Sequence, residues 1–110
     1  MSEYVLVFWT AANLEEAKRV ASGLLAEGYI ACASIIPQVI SIFRWQGKLE
    51  EASEAKVIFK TKKQMFLPIE AYIKKNVIYE VPEVLLVAIA KGSEPYLEWI
   101  ESCLDDSKGS

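Results

Sequence analysis

Histidine is absent from all 110 residues of this chain. Its absence removes the commonest general base, the usual partner of a nucleophilic serine or cysteine, and the commonest transition-metal ligand. Cysteine is scarce: Cys32 and Cys103 are the two present, far apart in sequence. With no leader in view, two such thiols are expected to stay reduced, which makes the cytoplasm the expected location. The first three residues carry no basic stretch ahead of an apolar run, so no secretory signal is expected. No apolar run approaches about 18 residues, so no membrane span is expected. Charges of both signs are mixed along the chain, with a net charge of −3. No basic stripe interleaved with aromatics occurs, so a nucleic-acid partner is not expected. A glycine-rich phosphate cradle, a G-x-S-x-G elbow and a C-x-x-C pair are all missing. A serine or cysteine without an activating base is a poor nucleophile. Glu80 and Glu83 remain as formal acid–base candidates, but nothing marks a substrate cleft around them. The chain is therefore expected to be no enzyme and to require no cofactor.

What the chain has in surplus is apolar residues, 53% of the total, against about 45–50% in ordinary soluble domains. One domain spanning residues 1–110 buries roughly two-thirds of its surface on folding. The remaining apolar surface finds its natural sink in subunit contacts.

The pattern of elements supports that expectation. Residues 4–9 (YVLVFW) form a continuous apolar run of β-formers, expected as a strand buried on both faces. Asn13 with Glu16 three residues on forms a helix start, and Gly28 a helix stop, bracketing a helix over roughly residues 14–27. Residues 30–45 form a long extended stretch in which Pro37 marks a bulge or an edge. Gln46-Gly47 is a hairpin turn, and residues 48–61 return as a strand with Ala55, Val57 and Phe59 on one face and Lys56, Ile58 and Lys60 on the other. Thr61 and Gln64 are spaced as a second capping box, ahead of a helix whose apolar face is Phe66, Ile69, Tyr72 and Ile73 and which ends near Asn76. A loop follows, then a fourth strand over residues 84–90. Gly92-Ser93 begins a last helix bearing Tyr96, Leu97, Ile100 and Leu104, and residues 105–110 are a polar tail expected to fray.

The order β-α-β-β-α-β plus a C-terminal helix predicts an α+β, ferredoxin-like sandwich with an antiparallel sheet. That topology places the second and fourth strands at the edges. The fourth strand is apolar on both faces and the second is unusually long, and edges of that kind invite pairing with another copy of the chain.

Five blocks carry a resemblance. Ala31-Cys32-Ala33-Ser34-Ile35-Ile36-Pro37 matches A-C-x-x-I-x-P; Trp45-x-Gly47-Lys48-Leu49-Glu50 matches W-x-G-K-[IL]-E. Lys60-Thr61, Tyr79-Glu80-Val81-Pro82-Glu83 and Tyr96-Leu97-x-Trp99 follow in order. With these blocks the chain resembles the CutA family, named for divalent-cation tolerance. The resemblance implies a homotrimer similar to the PII signalling proteins, with the hairpin and last helix wrapping neighbouring subunits. It implies a role in divalent metal-ion tolerance with binding of copper or another divalent cation. The alternatives are a PII-like module holding a small ligand in clefts between subunits, or a trimeric scaffold for a protein partner.

Family metal ligands, by resemblance, are a cysteine ending the first strand, a histidine ending the second helix and a glutamate in the third strand. Those positions are here Trp9, Asn76 and Glu54, and the family's His-Pro before the tyrosine is replaced by Val77-Ile78. Glu54 is thus the one metal candidate that keeps its ligand type, and the loss of thiolate and imidazole predicts weak copper binding. Glu50, Glu51 and Glu54 could together hold a hard cation weakly through oxygen. Cys32, Lys60, Tyr79, Glu80 and Glu83 are the candidate cleft residues. Trp45 and Trp99 are the candidate trimer-interface anchors; Cys103 is expected to pack its helix.

Overall fold

The first strand, β1 (Tyr4–Ala11), alternates between fully buried and half-buried residues. In a computed structural model that describes residues 3–109, it lies at the centre of a four-stranded sheet of order β2-β3-β1-β4, every neighbour antiparallel. Residues 1, 2 and 110, on which the leader expectation and the end of the tail partly rest, lie outside the described residues. The expectation of a strand buried on both faces is corrected: within one chain Val5, Val7, Trp9 and Ala11 are buried, while Leu6 and Phe8 on the other face are half-covered.

Helix α1 (Leu14–Ala26) starts as expected. Asn13 accepts the Glu16 backbone N–H at 2.8 Å, and the Glu16 carboxylate reaches back to the Ala12 N–H at 2.9 Å. It ends at Gly28, whose φ of +78° belongs to the left-handed region. Strands β2 (Cys32–Trp45) and β3 (Lys48–Lys62) form the long hairpin. Its register shifts between Ile36 and Val39, flanking Pro37. Gln46 and Gly47 both have positive φ, the requirement of the two-residue turn that follows strand twist. The hairpin runs well past its neighbours and stretches the molecule to 45 × 27 × 23 Å.

The capping box expected at Thr61 and Gln64 is not formed. Thr61 is buried in β3 and donates its hydroxyl to the Tyr29 carbonyl at 2.6 Å. A single 3-10 turn then leads into α2 (Phe66–Asn76), which has no side-chain cap. Strand β4 (Val84–Ala88) is two residues shorter than expected. Helix α3 (Glu94–Cys103) follows.

The main core joins one face of the sheet to α1 and α2: Val7, Trp9, Val57 and Phe59 meet Val20, Leu24, Ile69 and Ile73. Trp9 and Phe59 stack with centroids 6.0 Å apart, and the Trp9 indole N–H has no acceptor among the described residues. Tyr4 and Lys62, of opposite parity to the core residues, both engage Glu101 of α3, at 3.2 and 2.9 Å. This places α3 across one end of the opposite face, over the buried Ile100. The tail makes a 3-10 turn instead of trailing away: the Asp105 N–H donates to the Gly28 carbonyl, and Lys108 pairs with Glu27 at 2.9 Å.

Beyond the end that α3 covers, much of the sheet face opposite α1 and α2 has nothing among the described residues of the chain to pack on. Ile36, Leu85 and Val87 are exposed there, Tyr96 and Trp99 are exposed on α3, and Ile40, Ile42 and Leu49 are exposed along the hairpin, on the face shared with Ala55 and Val57. Both edge strands, β2 and β4, have one unpaired side.

Candidate functional site

Strand alternation sends Lys56, Ile58 and Lys60 of β3 to the face opposite α1 and α2, beside Thr10 and Phe8 of β1. Beyond the bulge the same face carries Glu54, opposite Val39, and then Ser41, Phe43 and Trp45 of β2. The segment between α2 and β4, residues 77–83, folds down beside these side chains. Together they enclose an open groove of about 830 Å³, with Phe43, Trp45, Ile78 and Val81 as its apolar walls.

Three carboxylates tie the segment in place. Glu16 of α1 accepts the Ile78 backbone N–H at 3.2 Å. Glu54 accepts the Tyr79 hydroxyl at 2.6 Å. Glu83 receives Lys56 Nζ on both carboxylate oxygens, each at 2.9 Å, together with the Thr10 hydroxyl. Burial, the Glu54 hydrogen bond and the nearby negative charge of Glu54 and Glu16 push the Tyr79 phenol up to about 12. For Glu83, burial works to raise the carboxyl, but the hydrogen bonds from Lys56 and Thr10 outweigh it and hold the group below the usual carboxylate range.

The candidate cleft residues therefore divide into two sets within one chain. Tyr79, Glu80 and Glu83 meet at the groove, where Glu54 and Trp45 join them. Cys32 and Lys60 do not. They pair across β2 and β3 nearer the other end of the sheet, where Lys60 Nζ lies 2.5 Å from the Ser34 hydroxyl and 3.7 Å from the Cys32 sulfur. Trp99 packs against Tyr96 on α3 with the rings tilted by 39° and centroids 5.4 Å apart, away from the groove. Lys56, Thr10 and Glu16 were not among the sequence candidates. Alternation along β3 was the signal for Lys56; its pairing with Glu83, 27 residues on, left none.

The three positions of the metal set do not fit a soft-metal site. Trp9 is fully buried in the main core. The Asn76 side-chain amide donates to the Tyr72 backbone carbonyl at 2.8 Å, and the Asn76 backbone carbonyl accepts from Arg19. Glu54 is held by Tyr79. Among the described residues no three His, Cys, Asp or Glu side chains come together to hold a metal. Strand alternation also puts Glu51 on the opposite face from Glu50 and Glu54.

Residues 5–103 match the model of the family described as CutA1 divalent ion tolerance protein. Among curated relatives, the chloroplastic protein CutA of Arabidopsis thaliana is 35% identical over 98 residues, covering 89% of this chain and 54% of that protein. The divalent-cation tolerance protein CutA of Yersinia pestis is 31% identical over 103 residues, covering 94% of this chain and 87% of the other. The chain thus spans little more than half the length of its plant relatives. Solved structures agree. CutA1 of Oryza sativa superposes with a TM-score of 0.93 at 31% identity, covering 96% of each chain. The periplasmic divalent cation tolerance protein CutA of Archaeoglobus fulgidus gives 0.90 at 32%, covering 93% of this chain and 99% of that one. This chain belongs to the CutA1 divalent ion tolerance protein family.

Proposed function

We propose that the chain acts as a non-catalytic subunit of a homotrimer of ferredoxin-like domains that contributes to divalent-cation tolerance in a reducing, cytoplasmic setting. The observation that carries this is the number of large apolar side chains left exposed on the hairpin, on β4 and on α3. Soluble monomers rarely leave patches beyond a few hundred Å² open, and two free strand edges supply backbone partners for a neighbouring copy. The free thiols of Cys32 and Cys103 suit a reducing compartment. A non-catalytic role is supported by the direction of the carboxyl shift. Glu83 is held ionised, the opposite of what a general acid requires.

The metal side of the role follows from the donor set. With tryptophan and asparagine where thiolate and imidazole would stand, any divalent ion is held through oxygen, weakly, with Glu54 as the candidate donor. Titration calorimetry with Cu(II) and Zn(II) tests this directly. Weak, non-stoichiometric binding is expected, and stoichiometric sub-micromolar binding would refute it. A second reading, a PII-like module for a small ligand, is favoured by the groove itself. Its volume lies within the range of about 300–1,000 Å³ usual for small-molecule sites.

A further inference from the structure

The groove has a definite charge. Its lining contains three carboxylates, Glu54, Glu80 and Glu83, and no lysine or arginine. Lys56 stands just behind Glu83 and is committed to both of its oxygens. The remaining two carboxylates have no cationic partner among the described residues. Glu54 is bonded through one oxygen to the neutral Tyr79 hydroxyl, and Glu80 is exposed.

Each ligand class meets this lining differently. A phosphate-bearing ligand faces two uncompensated carboxylates and no free cation, so it is repelled. A neutral apolar molecule covers those carboxylates without pairing them, and the desolvation opposes binding. A bare divalent ion finds only two uncompensated carboxylates among apolar walls, too few oxygens to replace its water shell. An ammonium group on an apolar body satisfies the whole lining at once. Its charge pairs with Glu54 and Glu80, and its body lies against Phe43, Ile78 and Val81, with the Phe43 ring face also attracting the cation.

We infer that the groove between the hairpin and residues 78–83 is a binding site for an organic ammonium ion with an apolar body. The inference rests on the small-ligand reading above and names its substrate class.

The test uses the assembled protein and three probes of matched shape: 2-phenylethylammonium, 2-phenylethanol and phenyl phosphate. Affinities are measured by calorimetry, and the site is located from amide shifts of residues 78–83. The ammonium probe should bind there and weaken as salt is raised. Glu54→Gln keeps an acceptor for Tyr79 yet removes the charge, and should weaken the ammonium probe roughly tenfold, the usual scale for a hydrogen bond to a charged group. Glu80→Gln, at an exposed position where folding is not at risk, should weaken it in the same direction. If phenyl phosphate binds in the groove as well as the ammonium does, the charge assignment is overturned and the small-ligand reading survives. The same holds if neither substitution changes the ammonium affinity. If no probe shifts residues 78–83, both fall.

Discussion

Trp45 stands at the end of β2 with 62% of its surface open. A tryptophan presents roughly 250 Å² at most, so about 150 Å² remains for a neighbouring subunit to cover. At about 25 cal/mol per Å², complete coverage is worth close to 4 kcal/mol, and imperfect coverage brings this to about 2–4 kcal/mol per chain. In the proposed trimer three such sites make about 6–12 kcal/mol of association free energy, whereas the fold of each subunit loses almost nothing, because Trp45 lies outside the main core. Trp45→Ala should therefore separate assembly from folding. Sedimentation across a dilution series should show the variant dissociating at concentrations where the parent protein remains trimeric. Circular dichroism of the dissociated chains should keep the α+β signature. A variant whose dissociation curve overlays that of the parent would mean that Trp45 stays uncovered, and the anchor assignment would be wrong.

Three further outcomes follow from the groove and the core. The Tyr79 phenol, raised from 10.0 to about 12, favours the folded state fully below pH 10 and loses that contribution as pH climbs toward 12; followed by tyrosinate absorbance, a late-ionising component should vanish in Tyr79→Phe. Glu83 is lowered from 4.5, so its contribution is complete above that pH and is lost as pH falls through the folded-state value; Glu83→Gln should be less stable near neutrality and show a flatter acid limb in thermal melts, and parallel acid limbs would count against the Lys56 pairing. Trp9→Ala should cost about 3–5 kcal/mol in denaturant unfolding. Trp9→Phe should cost far less, because removing an indole N–H that has no acceptor offsets part of the lost volume, by about 1–3 kcal/mol.

The groove was only partly legible in the chain. Tyr79, Glu80 and Glu83 stood out because they sit in one short block, and Trp45 because a large aromatic beside a turn has few other uses. Cys32 and Lys60, expected with them in a cleft between subunits, lie apart from them within one chain for a reason of length. Lys60 and Lys56 share a face, but four residues of strand set them roughly 13 Å apart, and it is Lys56 that reaches Glu83. Thr61 and Gln64 had capping-box spacing, yet β3 continues to Lys62 and the Thr61 hydroxyl goes to the Tyr29 carbonyl instead. The tail, read as polar and therefore loose, is held by partners at Gly28 and Glu27 that no local pattern announces.

Local chemistry in the sequence was enough to determine the succession of strands and helices, the Asn13–Glu16 start, the Gly28 stop, the bulge at Pro37 and the turn at Gln46-Gly47. Each depends on residues within about four positions of one another, where backbone sterics and side-chain hydrogen bonds act without help from the rest of the chain. Tertiary structure alone decided which carboxylate meets which cation, which side of β1 is covered, and where the groove lies. Those are contacts between residues 25 to 97 positions apart. They exist only once hydrophobic burial has stacked the sheet on its helices and brought distant stretches of chain within a few ångströms.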